Sequence, residues 1–370
     1  MKGRVAVLGK AKERFSIEEH DVPAPSPGTI LVKQELAGIC GTDVHIWEGF
    51  LREVPFPVVL GHENVGTIAE LGQGVEADFV GEPVRQGDRV FPFPGLPCWH
   101  CYQCVIDKEP TRCAKGESYG FFPYKEPYFT GGYADYLYMF HPSSLFVKTD
   151  LKPEETVLIE PLAIAVRSVE RGGVQSGDTA VIQGAGPIGL LTLACVIAAG
   201  ATKAIVVGTP ADRLKIAQEI GADLTIDIQE VRDVETRIRL VKEQTQGNRG
   251  PDVVFEDTGN PRAISEGLSY LKDNGRYLVA GCFTDKGPVE INPARMITMK
   301  QTAITGTWGD EPKDFLRAIR MLEKSKFHFE KLVSHKIPLR RVHEAFEAIS
   351  SEKYSLDGKE IFKVAIDLRS

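Results

Sequence analysis

Between Cys40 and Glu63 the chain reads CGTDVHIWEGFLREVPFPVVLGHE, which brings a thiol, two imidazoles, carboxylates and a hydroxyl into one short stretch. Cys40, His62 and Glu63 are zinc-binding residue types, and such ligands are commonly gathered from separate turns. Thr42 and His45, close to Cys40, are suited to carrying a proton. Asp43 is placed to orient the His62 imidazole from behind. Glu160, in LIEPLA, is a further carboxylate donor. One thiolate, one imidazole and one carboxylate leave a coordination position open, which is the mark of a catalytic zinc. Each residue also has an ordinary use: Cys40 as a small buried hydrophobe, His62 as a core histidine, the two acids as capped or paired carboxylates.

Two further patterns carry chemistry. Cys98, Cys101 and Cys104 form CxxCxxC, and Cys113 follows. Four thiolates this close can close a tetrahedral site with no open position, so the expectation is a structural zinc that stiffens the loop 94–119. An iron–sulfur cluster is the remote alternative. A nucleic-acid zinc module is disfavoured because the surroundings are not basic. The other pattern is VIQGAGPIGL, in which Gly184, Gly186 and Gly189 are spaced GxGxxG at the junction of an expected strand and helix. The first glycine permits the turn, the second admits a pyrophosphate, the third lets helix and strand approach, and Pro187 and Ile188 open the helix. That helix N-terminus offers free N–H groups to phosphate. At the end of the next strand, IVVGTPADR, Gly208 stands where an NAD site has its acid; Thr209 can donate to a 2′-phosphate and Arg213 lies one turn on, so NADP is favoured over NAD. Arg213 also has the plain role of a solvated helix residue.

The elements that must position these residues fall into two groups. Up to about residue 150 the chain shows short strands cut by Gly and Pro, among them 4–8, 15–19, 29–37, Asn64–Leu71, Arg89–Phe93 and Tyr133–Met139, which describes a barrel-like β domain. Residues 154–172 are helical by pattern. Strands and helices then alternate: Thr179–Gln183, Pro187–Ala199, Ala204–Val207, Ala211–Ile220, Leu224–Asp227, Val234–Thr245, Pro251–Glu256, Pro261–Leu271 and Arg276–Ala280. This βαβ series implies a parallel sheet covered on both faces. An amphipathic helix Pro312–Ser325, a second around Val342–Ile349 and a strand Glu360–Asp367 close the chain, and this tail is too short to stand apart from the first domain.

At 370 residues, two domains are expected. The net charge of −7 argues against a nucleic-acid partner. The uncharged stretch Thr179–Thr202 resembles a membrane span only until its glycines are counted as a turn. The opening MKGRVAVLGKAKER lacks the apolar core of a signal peptide. Seven cysteines, odd in number and four of them bunched, point to metal ligation in a reducing compartment, so the cytoplasm is the expected location.

GHENVGTIAELGQGV at 61–75, CGTDVH at 40–45, the four cysteines, the EPLA run and GAGPIG occur in the order found in the zinc-dependent medium-chain dehydrogenase/reductase family, and the whole chain resembles it. Glu160 in the EPLA run is similar to the sorbitol, threonine and sugar dehydrogenase branches. The resemblance implies an α/β fold with a GroES-like β-rich catalytic domain, 1–160 and 307–370, around a Rossmann doubly wound parallel-sheet domain, 161–306, with the active site in the cleft. It implies a catalytic zinc on Cys40, His62 and either Glu160 or Glu63, and a structural zinc on Cys98, Cys101, Cys104 and Cys113. Thr42 would take a hydroxyl proton and pass it, by way of the cofactor ribose, to His45. Hydride would move between a secondary alcohol or polyol, or its ketone or aldehyde, and NAD(P). The family forms dimers or tetramers through the cofactor-domain edge, and 290–297 is the candidate contact.

Three departures stand out. The Cys104–Cys113 gap is one residue longer than the family pattern, Gly208 replaces an acid, and the tail GKEIFK lacks an arginine used elsewhere to clamp pyrophosphate, leaving Lys363 in its place. Trp47, Phe50, Trp99 and the aromatic run 119–129 are candidate pocket walls that would suit a cyclic or hydrophobic alcohol; the run could equally be a packed loop. The competing functions are a zinc-free reductase on the same fold and a non-catalytic NADP-binding structural protein; a zinc count separates them.

Overall fold

The structure, a computed structural model, describes residues 1–51, 53–351 and 354–369. It divides into two compact units, Met1–Glu160 with Glu311–Ser370, and Pro161–Asp310.

The first unit is built on a seven-stranded sheet in which Ile30–Gly38 is central. That strand pairs antiparallel with Glu63–Leu71 along one edge, and with Tyr136–Met139 and Lys363–Asp367 along the other. The register sets Gly38 opposite both Glu63 and Ala365, so the segment leading to Cys40 emerges between two strands that carry site residues. Ala37, Ile46, Leu60, Tyr133 and Phe346 form a fully buried core beneath it. Burying side chains the size of Ile46, Leu60 and Phe346 contributes about 1.5–3 kcal/mol each. The helix Pro312–Lys324 buries Phe315, Ala318, Ile319 and Leu322, a spacing that lines one helical face. Phe315 stacks on Phe93 with ring centroids 4.6 Å apart, which anchors the C-terminal segment in this unit.

The helix Gly41–Glu48 has no counterpart in the periodicity. Its sequence GTDVHIWE has no apolar stripe. It forms because its ends are satisfied. The Cys40 side chain accepts from the Thr42 N–H, the Asp43 carboxylate accepts from the Cys40 N–H, and Gly49 closes the helix in the left-handed conformation at φ 86°.

The second unit is a six-stranded, wholly parallel sheet. Its elements are β1 (Thr179–Gln183), α1 (Pro187–Ala198), β2 (Lys203–Gly208), α2 (Ala211–Ile220), β3 (Leu224–Asp227), β4 (Val253–Glu256), β5 (Arg276–Val279) and β6 (Ala303–Gly306). The strand order is β3-β2-β1-β4-β5-β6. This is the doubly wound arrangement, with its switch point between β1 and β4. The β1 core residues Ala180, Val181 and Ile182 are fully buried, as expected of a strand covered on both faces. The edge strand β6 escapes sequence analysis because its AITG is largely exposed and carries no buried run. Among the described residues no helix is long and apolar enough to cross a membrane.

Candidate functional site

Cys40 ends the central strand region and caps the helix Gly41–Glu48, so the thiol and the residues at helix positions 42, 43 and 45 are placed by one turn. Thr42 Oγ1 lies 3.6 Å from Cys40 Sγ. Asp43 is fully buried beneath. Its Oδ2 accepts from the Cys40 N–H at 2.9 Å and the Tyr133 hydroxyl at 2.8 Å, and its Oδ1 stands 3.3 Å from His62 Nδ1. Burial disfavours the Asp43 charge, but His62 and the donors from Cys40 and Tyr133 hold its carboxyl below the ordinary value. Burial likewise works against a charged His62, yet Asp43 and then Cys40 raise it well above the ordinary histidine range. With Nδ1 turned to Asp43, the other ring nitrogen is the one left to serve a ligand. The Phe121 ring packs on His62 at 5.4 Å between centroids.

The two candidate acids are used differently. Glu63 is fully buried and one of its oxygens is ion-paired with Lys363. Its other oxygen occupies the space a side chain at Gly38 would need, 1.9 Å from where a Cβ would stand. Burial opposes the Lys363 charge, but Glu63, then Cys40, and also Glu160 raise its pKa. Lys363, expected as a stand-in for a phosphate clamp, is thus a buried partner of Glu63. Glu160 is buried in the first turn of the helix Ile159–Gly172. Among the described residues, Cys40, His62 and a carboxylate do not come together with ligand atoms all within 4.8 Å of one another.

The four cysteines do. The Sγ atoms of Cys98, Cys101, Cys104 and Cys113 all lie within 4.8 Å of one another, with Cys101 at 3.5 Å from Cys104 and 3.8 Å from Cys113. A tetrahedral zinc with Zn–S near 2.3 Å requires sulfurs about 3.8 Å apart, so the donor set fits the ion. The short 3₁₀ turn Pro110–Arg112 leads into Cys113. The thiols cannot all ionise together without a cation. The Cys104 N–H draws the Cys101 thiol down to about 6, while burial, then the neighbouring thiols, push Cys104 up to about 12.

The glycine turn divides its tasks as the spacing requires. Gly184 has φ +110°, and a Cβ there would stand 2.9 Å from the Asp257 carbonyl oxygen. A Cβ on Gly189 would stand 2.1 Å from the Gly184 oxygen. Gly186 caps α1, and around it the structure is open. Pro187 and Ile188 form the first turn of α1. Gly208 ends β2 against the turn, where a Cβ would meet the Ala185 nitrogen at 2.8 Å. The Thr209 hydroxyl is buried with no hydrogen-bond partner among the described residues. Arg213 is not a solvated residue: it is buried, and its Nη1 reaches to 4.0 Å of the Cβ position at Gly186.

The aromatic wall is smaller than the sequence suggested. Trp47 donates its indole N–H to the Glu13 carbonyl and packs on Phe346. Trp99 belongs to the cysteine lobe. Tyr119, Phe122 and Phe129 are buried in the sheet cores, and Tyr124 and Tyr128 pack on His20. From the run, Phe121 reaches His62; from the helix side, Phe50 packs edge-on to His45 at 5.9 Å. Sequence reasoning passed over Tyr133, which has no local signal, and Glu48, which has one: it lies three residues after His45 on the same helix. Glu48 Oε2 is 3.3 Å from His45 Nδ1, and Oε1 accepts from the Ser350 hydroxyl at 2.5 Å.

Residues 26–150 match the alcohol dehydrogenase GroES-like domain and residues 187–324 the zinc-binding dehydrogenase domain. The chain is 32% identical to the 5-exo-hydroxycamphor dehydrogenase of Pseudomonas putida, over 92% of this chain and 94% of that one. It is 31% identical to a sorbitol dehydrogenase of Halalkalibacterium halodurans, over 91% and 93%. Among solved structures it is similar to an alcohol dehydrogenase from Thermotoga maritima, with a TM-score of 0.92 and 30% identity across 99% of both chains. A GroES-like domain, a parallel sheet wound about a glycine turn and relatives of these kinds lead to one conclusion: the chain belongs to the zinc-type medium-chain dehydrogenase/reductase family.

Proposed function

We propose that this dehydrogenase oxidises a secondary alcohol or polyol carbon, and reduces the corresponding carbonyl, with zinc at Cys40 and NADP as its preferred dinucleotide. The observation that carries this is the convergence of Cys40 and His62 on one buried acid, Asp43. That arrangement holds a thiolate and an oriented imidazole together, two donors that suit a zinc. Glu160 would be the third ligand. Glu63 is committed to Lys363 and to the space at Gly38, so it supports the site from outside the metal's shell. A zinc held by Cys40, His62 and Glu160 would supply Lewis acidity to the alcohol oxygen. A second zinc on the four cysteines would brace the lobe.

The chain's own groups then do the proton work. Thr42 Oγ1, beside Cys40, takes the hydroxyl proton. His45, on the same helix, carries it onward, and Glu48 holds the ring from Nδ1 while Ser350 holds Glu48. Bound dinucleotide would supply the hydride acceptor. Its pyrophosphate suits the open side of Gly186 at the head of α1. The absence of an acid at Gly208, the Thr209 hydroxyl without a partner among the described residues and the buried Arg213 support a 2′-phosphate. Phe50 and Phe121 give the substrate side an apolar character, which favours a cyclic or otherwise hydrophobic alcohol, the kind named for the Pseudomonas relative. The exposed Ile304 on the edge strand β6 and the largely exposed segment 290–297 support assembly of like subunits along that edge.

The test is a metal count joined to a substrate panel. Two zincs per chain, and turnover of polyols or cyclic secondary alcohols that is faster with NADP than with NAD, is the expected result. Cys40→Ala should abolish turnover and leave dinucleotide binding intact. Retained turnover in metal-free protein overturns the zinc assignment, and failure to oxidise any alcohol with either dinucleotide overturns the function.

A further inference from the structure

Glu256 ends β4 fully buried, and its carboxylate is saturated with donors. Oε1 accepts from the Thr258 N–H at 2.8 Å, the Thr258 hydroxyl at 2.6 Å and the Gly259 N–H at 2.8 Å. Oε2 accepts from the Cys282 N–H at 2.9 Å. The first three donors belong to the loop after β4 and the fourth to the loop after β5. One side chain therefore joins two loops that are separate in sequence. The loops also touch backbone to backbone: a Cβ on Gly281 would stand 2.5 Å from the Gly259 nitrogen and 2.8 Å from the Thr258 nitrogen. A cavity of about 280 Å³ opens beside them, lined in part by Pro261, Ile264, Cys282 and Phe283.

These loops lie at the C-terminal ends of β4 and β5, on the far side of the switch point from β2. In a doubly wound sheet the ligand lies across those strand ends, with its pyrophosphate at the first helix N-terminus. The β2 side, with Gly208, Thr209 and Arg213, takes the adenosine half in the reading proposed above. The other half of a dinucleotide is left the ends of β4 and β5. Glu256 stands at the first of these ends. Here the position holds a buried acid that accepts four hydrogen bonds, three of them from backbone N–H groups of the two loops.

We infer that Glu256 is a positioning residue for the nicotinamide half of the cofactor: its carboxylate locks the loops 257–260 and 280–283 into one cradle. The inference rests on the dinucleotide-dependent function proposed above. Glu256→Gln keeps the shape and removes half of the acceptor capacity. With its amide oxygen toward Thr258 and Gly259, its NH₂ faces the Cys282 N–H, donor against donor. With the amide turned over, the Thr258 and Gly259 donors lose their acceptor.

The test compares two ligands by calorimetric titration on the full chain. One is NADPH; the other is 2′-phospho-ADP-ribose, which has the adenosine half and no nicotinamide. Glu256→Gln should weaken NADPH about tenfold or more, the scale of a lost charge-assisted hydrogen bond, and leave 2′-phospho-ADP-ribose within about twofold. Thr258→Val, which removes the hydroxyl donor and keeps the backbone, should show the same split at about threefold. Equal weakening of both ligands means a general structural role and overturns the inference, as does no change in either. If Glu256→Gln does not fold, the presence or absence of the split in Thr258→Val decides. If the unaltered protein binds neither ligand, the dinucleotide reading itself has failed, and a zinc count still reports on the metal sites separately.

Discussion

Replacing Lys363 by Met isolates one charge in the first unit, and its cost can be worked from the geometry. Glu63 is 0% exposed. One of its oxygens has Lys363 as a partner, and the other is buried with no hydrogen bond among the described residues. Removing the ammonium leaves a carboxylate with no compensation, wedged where Gly38 has no side chain. Breaking a buried pair from one side costs about 3–5 kcal/mol. For a unit of this size that corresponds to a fall in Tm of roughly 6–20 °C. The partner change Glu63→Gln should cost less, because the stranded ammonium still has Cys40 and Glu160 near it. The double variant Lys363→Met with Glu63→Gln should recover most of the loss, since a buried pair replaced as a whole is close to neutral. Scanning calorimetry at matched zinc content on the four proteins closes the cycle. A loss below about 1 kcal/mol in Lys363→Met, or single losses that simply add in the double, would refute the claim that Glu63 depends on this pair.

Asp257 makes stability fall as pH rises. Burial, then the neighbouring Glu256, push its carboxyl up to about 7 against a smaller opposing pull from the Thr192 hydroxyl. The folded protein therefore holds a proton that the unfolded chain releases near pH 4, so this stability is complete below that pH and is lost as pH climbs through about 7. Asp257→Asn should match the parent at pH 4 and exceed it at pH 8 by on the order of 4 kcal/mol; parallel Tm–pH curves would contradict this. Arg213→Ala should weaken NADP about tenfold and NAD by less than about threefold, read from KM for each; equal losses would remove Arg213 from the 2′-phosphate. Cys113→Ser should lower the zinc count by one per chain and loosen the loop 94–119 to proteolysis, with an unchanged count as the contrary result.

Much of the architecture is legible in the chain because it depends on local periodicity. The spacing of Gly184, Gly186 and Gly189 after an apolar run specifies strand, turn and helix, and β1, α2 and β3 appear with the expected limits. The four cysteines announce a closed metal site because their ligand geometry needs only a short loop. The helix Gly41–Glu48 was hidden because its stability comes from caps rather than an apolar face. Tertiary structure decided the rest. Glu63 and Glu160 are equivalent as donors in sequence, and only the packing of a strand that arrives at residue 363 commits Glu63 to Lys363. Arg213 is a candidate by its position in sequence, but only folding shows it buried beside the glycine turn and not solvated; Glu256 looks like an ordinary charged residue until folding gives it donors from two loops. Residue type and local spacing set which chemistry is available; the solvation and charge partners that assign it to particular side chains exist only after distant segments meet, because both depend on what folding removes from water.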